Sequence, residues 1–426
     1  MTLLILAIFL GFSILGMPLA FALGFSGLAA LYVGDVDINM LPQRMMHSVN
    51  SFPLMSIPFF MLAGELMIKA GIMDRLIELA NAFVGRVKGG LAHVTLISGA
   101  GLAAVSGAAV ADASALSTTL APSLRKAYGA GFSSAIVASA ANLGPIIPPS
   151  NAMIVYAFMA GSTVSVGGLF MAGVVPGLII AVGMMILCSV MAHARNYPYT
   201  GEKVNIANIL YQLRRSFIIF MMPVVVIGGI IGGAFTATEG SAIAVVYALA
   251  IGFFITRKLK VSDLPDAILS AAITTAVVGA LIAFASVVTF LLTVDMLPVK
   301  LTALVRGITT DPLMFSLLVA VMLFIVGMFL ESNAAYILLV PLFHPLAIAF
   351  GLDPLHFAFL FVLNLVIGML TPPVGVVLFV VCGITKVTMG EIMRHLWPFI
   401  ALMYGVLLLC MLYPPVVTAL PRWMGY

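Results

Sequence analysis

Charge is what this sequence has least of. Asp, Glu, Lys and Arg together make up 8% of 426 residues, against 63% hydrophobic residues and a mean hydropathy of +1.23. A soluble domain of this length cannot hide so much apolar surface, because much of any folded surface still meets water. The natural solvent is lipid. Cysteine is scarce too: Cys188, Cys382 and Cys410 all sit in apolar runs without CxxC spacing, which argues against disulfides or a cysteine metal cluster. The histidines are scattered and form no HExxH or other metal spacing. No GxxxxGK[ST] occurs, so this chain does not hydrolyse ATP through a P-loop, and energy must come from an ion gradient or another subunit. The net charge of +4 comes from short basic loops and not from a nucleic-acid-binding face.

What is present is a succession of apolar segments. A spanning helix needs ~20 apolar residues, and about ten windows reach or approach that length. The opening MTLLILAIFLGFSILGMPLAFALGFSGLAALYV lacks a basic lead and runs past signal-peptide length, so it reads as one uncleaved span kinked near Gly16–Pro18. No long soluble stretch follows, so any recognition domain must belong to another polypeptide or be absent. Residues 72–88 put Ile72, Leu76, Leu79, Ala80 and Phe83 opposite Asp74, Arg75 and Glu78, the spacing of an interfacial helix. Residues 1–195 form a first half and 216–426 a second. The polar stretch 196–215, with Lys203, Arg214 and Arg215, is read as the linker. The Arg214/Arg215 pair and the Arg257-Lys258-Leu259-Lys260 cluster flank one helical pair, which places both in the cytoplasm.

The halves resemble each other. SGAAVADASALSTTLAP followed by ANLGPIIPPSN in the first matches IVGMFLESNAAYILLVP followed by NLVIGMLTPPVG in the second. Asp112 and Glu331 each precede a proline, Pro122 and Pro341, by the same interval. Gly144 and Gly368 each stand shortly before a Pro-Pro pair, downstream of Asn142-Leu143 and Asn364-Leu365. In hydrocarbon every backbone polar group must be satisfied, so a Gly/Ser-rich stretch with an acid in its middle cannot be a lipid-facing helix. It reads as a re-entrant hairpin. The expected hairpins cover about 90–127 and 313–350, and the expected proline-broken helices about 131–160 and 356–385. Paired broken segments at matching places in two halves point to a transporter's binding site.

Ser106, Asn142 and Gly144 in one half, with Ser332, Asn333, Asn364, Gly368 and Thr371 in the other, offer hydroxyl, amide and unwound carbonyl oxygens suited to an alkali cation, while half-helix N-termini suit an anion. The same residues also serve helix packing in membranes. Glu65 and Glu239 each follow a turn, where a carboxylate either caps a helix or serves a site. Arg125 and Lys126 close the first hairpin, either as attractors of a carboxylate or as snorkelling anchors. Ser106 has no histidine at its depth to make it a nucleophile, so the chain is not read as an enzyme.

At these residues the sequence resembles the large membrane subunit (DctM-like) of the tripartite ATP-independent periplasmic (TRAP) transporters. The matching text runs in order along nearly the whole chain: IPFFMLAGELM, GGLAHVTLISG, SGAAVADASAL, GPIIPPSNAMIVYA, LFMAGVVPG, TATEGSA and NLVIGMLTPPVGVVLFVV. One departure is Ser332-Asn333, where the family text more usually has Thr/Pro-type residues after the acid. The resemblance implies an all-α multi-pass protein of the bacterial inner membrane, with two inverted repeats divided between an elevator-type transport domain and a scaffold. It implies import of a small organic acid (a C4-dicarboxylate, keto acid or sialic acid) with sodium as coupling ion and no other cofactor. A small four-helix (DctQ-like) membrane subunit would extend the scaffold, and a periplasmic binding protein would deliver the substrate. Carried over by motif, Ser106, Asn142 and Gly144 are sodium-site candidates, with Asn364, Gly368 and Thr371 as a second set. Substrate would lie near Asp112, Ser150 and Asn151, with Arg125, Ser332 and Asn333 as further candidates. The competing reading is a channel with two re-entrant loops, against which stands the lack of a carbonyl filter sequence or a dense charged ring.

Overall fold

The computed structural model describes residues 1–84, 86–200 and 205–426. Among these, seven helices are long and apolar enough to cross a bilayer: Phe52–Lys69, Val166–Ala194, Ile206–Ile231, Ala237–Thr256, Val261–Val294, Ser332–Ala349 and Met389–Leu412. Other apolar helices, such as Gly90–Ser106 and Pro354–Gly368, run only 10–17 residues. At ~1.5 Å per residue these stop short of a hydrocarbon core ~30 Å thick. Hydropathy windows cannot separate such half-helices from spans, which is why the sequence suggests more crossings than the fold contains.

Each half repeats one order of elements. In the first, the span Phe52–Lys69 leads to a surface helix, Ile72–Val84. A hairpin of Gly90–Ser106 and Ala109–Thr119 follows, extended by Ala121–Tyr128. Then come a broken helix, Ala130–Ala141 and Asn151–Ala160, and the long span Val166–Ala194. In the second, Val261–Val294 leads to the surface helix Leu297–Ile308, the hairpin Pro312–Gly327 and Ser332–Ala349, the broken helix Pro354–Gly368 and Val376–Thr385, and Met389–Leu412. The sequence reading passes over Leu297–Ile308, which lies at 115° to the helix after it. Lys300 and Arg306 among Leu297, Leu301, Val305 and Ile308 carry its amphipathic signal.

Ion pairs orient the molecule. Asp74 meets Lys258 and Glu78 meets Arg215, each at 2.5 Å, so both basic clusters sit at the same end as the first surface helix. Among the described basic residues, only Arg44, Lys300, Arg306 and Arg422 lie at the opposite end, together with the amino terminus, which faces Asp295. The positive-inside rule makes the Arg- and Lys-rich end cytoplasmic. The two surface helices therefore lie at opposite ends, and the repeats are inverted.

Two elements differ from the sequence reading. The first apolar stretch is not one kinked span but two antiparallel helices, Thr2–Ile14 and Leu19–Val33, with Phe12 and Phe25 ring centroids 5.6 Å apart. Gly16 at φ +85° reverses the chain, and Pro18 has no N–H with which to continue the first helix. The polar stretch 196–215 is only partly a connection. Tyr199–Thr200 pairs antiparallel with Val87–Lys88, and from Ile206 the chain is helical, carrying Arg214 and Arg215 on its first turns. Lys203, with the rest of 201–204, and residue 85 lie outside the described residues.

Asp295 ties the N-terminal pair to the second repeat. It accepts from the Thr2 hydroxyl, the Thr2 N–H at 2.9 Å and Lys300 Nζ at 3.0 Å. These donors, the Thr2 hydroxyl foremost, hold its carboxyl well below the usual carboxylate range. A carboxylate with a depressed folded-state pKa stabilises the fold fully above its ordinary value of ~3.9 and loses that contribution as pH falls through the folded-state value. We expect Asp295→Asn to lower the thermal midpoint at neutral pH, with the gap to wild type closing as pH drops below about 4. A gap independent of pH would contradict the anchoring role.

Candidate functional site

The site is built where the hairpins turn. Gly90–Ser106 stops at Gly107, whose φ of +62° admits glycine readily, and a Cβ there would stand 2.5 Å from the Pro149 oxygen. Asn151 N–H donates to Gly107 O at 3.3 Å. In the second repeat Val374 and Gly375 donate to Met328 O at 3.2 and 3.4 Å. Each hairpin tip is thus joined to the chain just after a Pro-Pro pair, and both pairs contain cis peptides.

At the first tip Ser106 Oγ donates to Asp112 Oδ1, while Asp112 Oδ2 is buried and has no partner. Gly144 faces that oxygen so closely that a Cβ would lie 2.6 Å from it. Asn151 Nδ2 donates to Ser106 O at 3.4 Å. A buried carboxylate oxygen left unpaired inside a membrane is costly. A carboxylate, a hydroxyl and unwound backbone carbonyls are hard oxygen donors, which fit an alkali cation. Asp112, a substrate candidate from the sequence, therefore sits with the ion candidates Ser106 and Gly144. Asn142 donates across to Val366 O of the other repeat at 3.0 Å, leaving its own Oδ1 buried and unpaired.

At the second tip Gly368 lies against Gly327, so that a Cβ would be 2.6 Å from the Gly327 Cα, and Thr371 is buried one turn beyond. Asn364 is a turn deeper. It donates to Ala320 O at 2.8 Å, its Oδ1 is buried and unpaired, and the residue borders a void of about 10 Å³ between Ser316 and Met411. Gly368 and Thr371 are brought to the tip; Asn364 is not.

A cavity of about 630 Å³ separates the two tips. Gly107–Val110 and Glu331–Ala334 form its ends, and Asn151 lies between them. Across it stand the face of Val261–Val294 around Val277 and the turn at Pro18–Phe21. The sequence marks this turn only as a kink near Gly16–Pro18 and gives it no part in the site. Asn151, Ser332 and Asn333 line the cavity; Asp112 and Ser150 do not. Ser150 Oγ instead caps Asn151–Ala160, accepting from Met153 N–H at 3.3 Å and donating to Pro145 O at 2.7 Å. Glu331 caps Ser332–Ala349. It accepts from Ala334 N–H and the Ser332 hydroxyl at 3.2 Å and from Asn333 Nδ2 at 3.1 Å, so the second tip supplies its own anion. Ala109–Thr119 has no side-chain cap, and its first residues, Ala109 and Val110, line the cavity.

The acids matched by sequence are therefore not equivalent: Glu331 precedes its helix, whereas Asp112 lies inside the first turn of Ala109–Thr119. Glu239 forms a capping box with Thr236, and Glu65 accepts from Ser270 at 2.9 Å. Arg125 lies apart from the central cavity, near the C-terminal end of Ala121–Tyr128.

Inverted repeats, re-entrant hairpins and broken helices around a central cavity define a polytopic membrane transporter. The family model for "Tripartite ATP-independent periplasmic transporter, DctM component" matches residues 6–416, and the chain belongs to that family as a large permease subunit of the inner membrane. It is 35% identical over 406 residues to the C4-dicarboxylate TRAP transporter large permease protein of Pseudomonas aeruginosa, covering 95% of this chain and 94% of that one. It is 34% identical over 420 residues to the sialic acid TRAP transporter large permease protein of Vibrio cholerae, covering 98% of each. The isethionate TRAP transporter permease protein DctMQ of Oleidesulfovibrio alaskensis is 36% identical over 95% of this chain, which spans 64% of that longer protein. Among solved structures, the YdaH transporter of Alcanivorax borkumensis shares the fold, with a TM-score of 0.64 at 14% identity over 88% of each chain.

Proposed function

We propose that this permease subunit imports a small organic acid in symport with sodium. The unpartnered Asp112 Oδ2, set between Ser106 and Gly144 beside the central cavity, is the observation that carries the reading. Sodium at the tips would offset the two acids, and the free N–H groups of Ala109–Thr119 would receive the substrate's carboxylate, since no basic side chain lines the cavity among the described residues. Asn151, Ser332 and Asn333 would contact its polar groups. The hairpins and broken helices would slide as a unit against Val261–Val294, Phe52–Lys69 and the N-terminal pair, an elevator motion. A periplasmic binding protein delivers the substrate, and a small four-helix membrane subunit widens the scaffold; the length and joint name of the DctMQ relative support the second partner. The C4-dicarboxylate and sialic acid for which two relatives are named support the organic-acid class.

In proteoliposomes containing the assembled subunits, uptake should require both an inward sodium gradient and the binding protein. Uptake that persists in potassium alone or without the binding protein would overturn this reading.

A further inference from the structure

A second cavity, of about 440 Å³, lies toward the cytoplasmic end and shares no lining residue with the central one. It opens between the base of the first hairpin and the outgoing leg of the second broken helix. Arg125 and Lys126 enter it from Ala121–Tyr128, Ser117 from the hairpin leg, Ser134 from Ala130–Ala141, and Thr385 from the end of Val376–Thr385.

Its chemistry is that of an anion site. Arg125 and Lys126 bring two positive charges, form no ion pair among the described residues, and share the cavity wall with no acid. Ser117 is only 2% exposed, yet its hydroxyl has no partner, so a buried donor stands unused at the wall. Ala130–Ala141, a helix of 12 residues, begins at the cavity with no side-chain cap, which leaves its first N–H groups and its positive dipole end for a ligand. Ser134 and Thr385 hydroxyls, 3.3 Å apart, complete a polar wall that joins the two repeats.

We propose that this cavity binds a phosphate group. Two cations, a hydroxyl donor and a helix N-terminus match a tetrahedral oxyanion with several acceptor oxygens better than a planar carboxylate, and the guanidinium pairs with phosphate in bidentate fashion. The phosphate belongs either to an inner-leaflet phospholipid headgroup or to a soluble cytoplasmic compound. In both cases the ligand bridges the first hairpin's base to the second broken helix, and Arg125 serves there and not in the central cavity.

The test uses the full chain in nanodiscs, with inorganic phosphate and phosphatidylglycerol as separate probes. Phosphate binding is followed by phosphorus NMR line-broadening in phosphatidylcholine discs. Lipid retention is followed by native mass spectrometry after exchange into phosphatidylglycerol. We expect one probe to bind saturably. Arg125→Gln with Lys126→Gln should weaken it on the order of tenfold or more, and Ser117→Ala several-fold. Retention of phosphatidylglycerol without phosphate binding assigns the site to lipid; saturable phosphate binding assigns it to a soluble anion. If neither probe binds the wild-type chain, or a probe that binds it binds the double variant equally, the proposal fails. Because both basic residues are exposed, their replacement should leave the thermal midpoint unchanged; if it does not, Arg125→Lys, which keeps the charge but loses the bidentate fork, should bind more tightly than the double variant and less tightly than wild type.

Discussion

Replacing Asp112 with Asn should shift the sodium concentration for half-maximal uptake by on the order of ten- to a hundredfold, and should all but abolish uptake at low sodium. The substitution is isosteric. It retains a partner for Ser106 and the fit against Gly144, but removes the one negative charge at the first tip. A hydrogen bond to a charged group contributes about 1.5–3 kcal/mol, and a cation's contact with that charge acts in the same direction. Without sodium, the variant should be no less stable than wild type, because an unpaired buried carboxylate oxygen has been removed. An unchanged sodium titration would remove Asp112 from the ion site.

Gly368→Ala should be the most damaging single methyl in the chain's second half. The added Cβ would meet Gly327 at 2.6 Å from Cα, 2.8 Å from the carbonyl carbon and 3.0 Å from its oxygen, all backbone atoms that cannot rotate away. Relief requires moving the hairpin off the broken helix, costing about 1–3 kcal/mol and displacing Met328 from Val374 and Gly375. We expect a lower thermal midpoint and loss of uptake. Gly383→Ala, on the helix that follows, meets nothing within 4 Å and should be neutral or stabilising by about 0.5–1 kcal/mol. Equal behaviour of the two variants would contradict the close approach at the second tip.

The hairpins and broken helices were legible because glycine, proline and a lone acid are costly in lipid, so each marks a place where backbone turns back inside the protein. The ion candidates Ser106 and Gly144 were legible for that reason, and the structure brings them together around Asp112. Side-chain direction was not. Ser150 spends its hydroxyl on a helix cap, because backbone N–H groups compete for a polar side chain at a helix start, and Ser332 and Asn333 donate to the Glu331 carboxylate that caps their own helix. The N-terminal pair was misread as one span because hydropathy records apolar length and is blind to a reversal of direction. Leu297–Ile308 was missed because an amphipathic surface helix adjoining long spans is averaged away by a wide window.

The buried oxygens at the first hairpin tip, on this reading, hold sodium. This is tested most directly by titrating the purified chain with sodium and with potassium at constant ionic strength while following its thermal midpoint. Ligand binding to the folded state raises the midpoint in a saturable way. We expect a saturable rise with sodium, little with potassium, and a much reduced response in Asp112→Asn. Identical curves for the two cations, or for the variant and wild type, would contradict it.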